Sequence, residues 1–78
     1  MEIYKNLGGT SNVRAYSVDQ DSITIEFMSG ANRFYVYDQN KPGMEHVNRM
    51  KALAVAGQGL NSYIGTHLRS PNSYSSKW

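Results

Sequence analysis

Between Val13 and Tyr37, bulky and β-branched residues alternate with polar ones at period two, the repeat of strands that bury one face. Val13–Val18 reads as one strand. Ser22–Met28 reads as a second, with Ile23, Ile25 and Phe27 on one face and Thr24, Glu26 and Met28 on the other. Arg33–Tyr37 makes a third. The links Asp19-Gln20-Asp21 and Ser29-Gly30-Ala31-Asn32 are short and rich in turn formers. They fit an antiparallel meander, because a parallel crossover needs a dozen or more residues.

Past Tyr37 the period lengthens. Asp38–Lys41 is a polar loop, and Pro42 is expected at the first position of a helix, where its missing N–H costs nothing. Met44, Val47, Met50, Leu53 and Ala54 fall on one helical stripe. Gly57-Gln58-Gly59 suits a helix end that needs positive φ. Leu60, Tyr63, Ile64, His67 and Leu68 follow at the spacing of a second buried face. Gly65 inside that helix costs about 1 kcal/mol relative to Ala, so a close backbone approach is expected there. Ser70–Trp78 is serine-rich with Pro71, and reads as a mobile tail. The fold class is thus α+β: a three-stranded antiparallel β-meander followed by two helices packed on one face. Residues 1–10 are an N-terminal arm, 11–69 the folded domain and 70–78 the tail.

Seventy-eight residues make one domain, and one small enough for marginal stability. The absence of cysteine excludes disulfides and thiolate metal sites and fits a reducing compartment. No apolar run approaches the ~20 residues of a membrane helix, and Met1–Lys5 lacks a signal region, so the expected location is cytoplasmic with no membrane partner. Net charge is +2, but unevenly spread: residues 1–40 carry three bases and five acids, residues 41–78 five bases and one acid. The second half is the side for an anionic partner, set against a plain solvated helix face.

Ser11-Asn12-Val13, Ile23-Thr24-Ile25-Glu26-Phe27 before Gly30, Tyr35-Val36-Tyr37, Pro42 and Tyr63-Ile64 with His67-Leu68-Arg69 occur in an order that resembles the KTSC domain. That module is found at the C-terminus of some lysyl-tRNA synthetases and as stand-alone bacterial or phage-type proteins. The resemblance spans Ser11 to Arg69. It implies the α+β fold and, through the synthetase context, RNA binding. The family places a polar residue between its two tyrosines, which implies that the rings face inward; this chain has Val36 there.

The residues that could carry binding are Arg33, Tyr35, Tyr37, Arg49, Lys51 and Arg69. Tyr35 and Tyr37 share a face of the third strand with Arg33, and aromatic rings beside a cation stack unpaired bases at ~1–3 kcal/mol each. Against this, both rings can lie under the helices. A four-residue loop, 29–32, pairs Met28 with Arg33 and turns the tyrosines to the polar face. A three-residue loop, 30–32, pairs Phe27 with Tyr35 and Ile25 with Tyr37 on the apolar face, and that core placement is preferred. Phe34 and Val36 then face the other way, to be covered by Ile3, Tyr4 and Leu7 or by a second copy.

Enzymatic readings find no support in the sequence. Gly57-Gln58-Gly59-Leu60-Asn61-Ser62 is a fragment of a dinucleotide fingerprint with no preceding strand. His46 and His67 have no further ligand at metal spacing, and His67 on its apolar stripe reads as a core histidine. No cofactor, metal or catalytic residue is expected. The expected function is a small non-enzymatic binding module with RNA or another nucleic acid as ligand. The alternative is a protein–protein or self-associating structural module, phage or prophage encoded. Convergence of Arg33, Arg49, Lys51 and Arg69 on one patch favours the first; dispersal favours the second.

Overall fold

A computed structural model describes all of residues 1–78. The chain folds into one antiparallel sheet in the order β1 (Glu2–Ile3), β2 (Val13–Val18), β3 (Ser22–Phe27), β4 (Phe34–Asp38), β5 (Ser76–Lys77), with α1 (Met44–Ala56) and α2 (Leu60–His67) on one face. The meander forms as the alternation requires, and both chain ends add a short strand to its edges. Ile23 pairs with Tyr37 and Ile25 with Tyr35, so the β3–β4 loop is the five residues 28–32 rather than three or four. Its parity matches that of the three-residue loop. Both tyrosines therefore lie on the apolar face, with Phe27 pairing across to Arg33. On the other side of β3, a bulge at Arg14 brings Val13 back to the covered face, where it is fully buried.

That face meets the helices. Val13, Ile23, Ile25, Val47, Met50 and Leu60 are wholly buried, and Tyr37 is 2% exposed. The stripe of α1 is the expected one, with Val47, Met50 and Ala54 inside. Pro42 is not its first residue: the helix starts at Met44 after Gly43, and Pro42 bridges to Asp38 in the loop before it. Gly57 closes α1 in the left-handed conformation, its N–H returning to the carbonyls of Leu53 and Ala54. Gly65 is a second correction. A Cβ there would meet nothing within 4 Å, so no close approach explains it.

The N-terminal arm is used differently from expectation. Tyr4 goes under the helices, 4% exposed, and its hydroxyl accepts the Leu60 N–H at 3.3 Å, supplying a partner for a donor that the start of α2 leaves free. Ile3 and Leu7 stay exposed, so they do not cover Phe34 and Val36. The tail is not loose. Pro71–Ser73 forms a 3-10 turn capped by Ser70, and β5 lies along β4 with Lys77 opposite Tyr35. The physical reason is aromatic. Tyr74 packs edge-on against Tyr35 at 5.0 Å, and Trp78 stacks on Phe34 at 5.3 Å. No helix is long and apolar enough to cross a membrane.

Candidate binding cleft

Where β4, β5, the 28–32 loop and the end of α2 meet, the covered side of the sheet opens into a cleft of about 490 Å³. Period-two alternation puts Phe27, Tyr35 and Tyr37 along its floor, and the tail closes it with Tyr74. Ile64 and Leu68 of α2 make an apolar wall. Asn12, Ser29 and Asn32 offer polar groups at the loop end, and Arg69 and Lys77 bring positive charge. None of the 13 lining residues is acidic. The only ion pair in the molecule is Arg14–Glu26, at 3.1 Å and away from the cleft, so no carboxylate neutralises Arg69 or Lys77.

The rings on the floor are engaged with one another. Phe27 meets Tyr35 edge-on at 5.4 Å, and Tyr35 lies 6.4 Å from Tyr37 at an interplanar angle of 20°. Burial pushes the Tyr37 phenol far above the usual tyrosine range, with Tyr35 and Tyr74 adding to the effect, so it stays a neutral hydroxyl. Lys77 holds its ammonium 5.3 Å from the centre of the Tyr74 ring. The Tyr74 hydroxyl beside it keeps the lysine above its ordinary range and therefore charged. The cleft thus combines neutral hydroxyls, apolar surface and two unpaired cations, a set that suits an anion attached to a flat, weakly polar body.

The residues singled out from sequence do not all meet here. Tyr35, Tyr37 and Arg69 line the cleft. Arg33 is exposed at the same end of the sheet, its N–H bonded to the Trp78 carbonyl at 2.8 Å, but its side chain is not part of the lining. Lys51 reaches the opposite end and donates to the Gln20 carbonyl at 2.9 Å in the β2–β3 turn. That is roughly 17 Å away along β3. Arg49 is exposed on α1 and outside the lining. The four cations therefore form no single patch. Base stacking on Tyr35 and Tyr37 is also not offered, because neighbouring aromatics occupy their rings. His67 is exposed rather than core.

Tyr74 and Lys77 were missed by the sequence reading because they lie in the serine-rich tail. The available signal was the pair Tyr74 and Trp78, two large aromatics that a mobile segment would leave in water. In comparisons with known proteins, no family model, no curated protein and no solved structure matches this chain, so the KTSC resemblance rests on the order of its residues.

Proposed function

We propose that the protein is a small non-enzymatic binding module whose working site is the tyrosine-floored cleft, and that its ligand is single-stranded RNA or another single-stranded nucleic acid. The observation that carries this reading is the pairing of Arg69 and Lys77 with the apolar wall of Ile64 and Leu68 and the Tyr74 ring in a lining free of acidic residues. A volume of about 490 Å³ lies within the ~300–1,000 Å³ of small-ligand pockets, room for one nucleotide unit rather than a duplex. Phosphate oxygens would sit on Arg69 and Lys77. The sugar and base would lie along Ile64, Leu68 and the Tyr74 edge, with Asn12 and Asn32 as hydrogen-bonding partners. The KTSC resemblance and its synthetase context point the same way, whereas the dispersal of Arg33, Arg49, Lys51 and Arg69 counts for the protein-partner reading given below.

Two phosphate contacts make for weak, salt-sensitive affinity, with a log–log slope near −1.4 on single strands. Fluorescence anisotropy with labelled mixed-sequence single-stranded and duplex RNA and DNA at low salt is the test. Single strands should bind better than duplexes, and the double variant Arg69→Ala, Lys77→Ala should weaken binding and flatten the slope. No detectable binding at high micromolar protein would sink the reading.

A second reading has its own observation. Trp78 is 57% exposed on the uncovered sheet face, stacked on half-buried Phe34 beside half-buried Val36. That apolar strip favours a protein partner or self-association, and a nucleic-acid-negative titration would promote it.

A further inference from the structure

His46 on α1 and His67 at the end of α2 come together although 20 residues separate them in sequence. Their ring centres are 6.2 Å apart, and Tyr63, one turn before His67, forms the third corner of a triangle with them, 5.8 Å from His46 and 4.6 Å from His67. His46 Nδ1 and the Tyr63 hydroxyl are 2.6 Å apart, which orients the His46 ring and leaves its Nε2 without a protein partner. His67 is exposed, and neither histidine nor Tyr63 lines the cleft.

We infer that His46 and His67 form an open two-imidazole site for a transition-metal dication such as Zn²⁺, with Tyr63 as the hydroxyl that positions His46. No group of three or more His, Cys, Asp or Glu assembles anywhere in the chain. The site is therefore not a closed structural centre, and water completes the coordination. With Zn–N bonds of about 2.0–2.1 Å, two imidazoles on a tetrahedral ion have ring centres roughly 5.2 Å apart, so the pair must close by about 1 Å. The exposed His67 ring supplies that movement. Proton placement is consistent. The metal takes the lone pair of His46 Nε2, the ring's single proton moves to Nδ1, and Nδ1–H donates to the Tyr63 oxygen. A protonated imidazole has no lone pair for the metal, so metal and proton compete and binding weakens in acid. Arg49, one turn beyond His46, is exposed and can turn its charge outward.

The experiment is a ZnCl₂ titration of the full chain, free of any affinity tag, followed through the histidine ring proton resonances. The chain has two histidines, so single variants assign both signals. Both rings should shift together and saturate at one Zn²⁺ per chain at pH 7.5, and binding should weaken as the pH falls. His46→Gln and His67→Gln should each weaken binding by about tenfold or more, and Tyr63→Phe by less. Amide spectra of each variant without metal establish that it is folded. Saturation unaltered by either histidine variant, a shift in only one ring, or no shift at a tenfold excess of Zn²⁺ would overturn the site.

Discussion

The two faces of the sheet hold different kinds of side chain and do different work. On the covered face, Val13, Ile23, Ile25 and Tyr37 are buried against Val47, Met50, Ala54, Leu60 and Leu68, and the cleft is the place where that packing gives out. On the open face, Thr24, Glu26, Phe34 and Val36 are half-buried, with Ile3 and Trp78 mostly in water. In a domain this small, one hydrophobic layer must supply nearly all the stability, so the open face can change at little cost to folding. The cleft joins the two demands: its floor is core, while its charged rim is exposed.

Neighbouring residues of β3 give the sharpest contrast. Ile25→Ala should cost about 2–5 kcal/mol, enough to unfold much of the population, because Ile25 is wholly buried between Tyr35 and Tyr16 in the sheet. Thr24→Ala, one residue away on the open face, should fall within about 0.5 kcal/mol. Urea denaturation measures both. Equal losses would mean that the open face is also core.

Removal of Ser70–Trp78 comes next, at about 2–4 kcal/mol. It takes away the Tyr74 contact on the covered side and the Trp78 stack on the open side. It also removes the backbone bonds of Ser75 to Val36 and of Trp78 to Phe34. Trp78→Ala alone should cost about 1 kcal/mol. A truncated chain with unchanged melting temperature would show that the tail does not belong to the sheet.

The tail is also where the sequence was hardest to read. Period two announced β2–β4, and period 3.6 announced both helices, because each repeat is imposed by a buried face next to it. A two-residue strand has no period. Ser76 and Lys77 join β4 because Tyr74 and Trp78 find rings there, a tertiary fact with no local trace. The same holds for the site. Alternation placed Tyr35 and Tyr37 on one face, but the register that decides which face depends on a loop of five residues. Lys51 and Arg69 look alike in the sequence, and only the strand between them separates their ends of the sheet. His67 fits the apolar stripe of α2, yet it lies on the exposed border of that stripe, while the next residue, Leu68, is buried in the core.

A smaller effect runs in the opposite direction. Gly65→Ala should stabilise by about 0.4–1 kcal/mol, since α2 turns this residue to solvent and a Cβ meets nothing. A loss on thermal denaturation would mean that α2 packs more closely than described. The covered face should also show a pH signature. Tyr37 titrates higher in the folded protein than in the unfolded chain, so its contribution is complete below the unfolded value of ~10. It is lost as pH rises toward the folded value, because the unfolded chain releases that proton first. Stability between pH 9.5 and 11 should therefore fall less steeply in Tyr37→Phe than in the wild type.

The division of labour between the faces is tested most directly by an amide and indole NMR titration with a short mixed-sequence single-stranded RNA at low salt. Shifts are expected at Asn12, Tyr35, Arg69, Tyr74 and Lys77, around the cleft, with Thr24, Val36 and the Trp78 indole unmoved. Shifts at Thr24, Val36 and the indole with the cleft residues silent would contradict that division and move the binding surface to the open face.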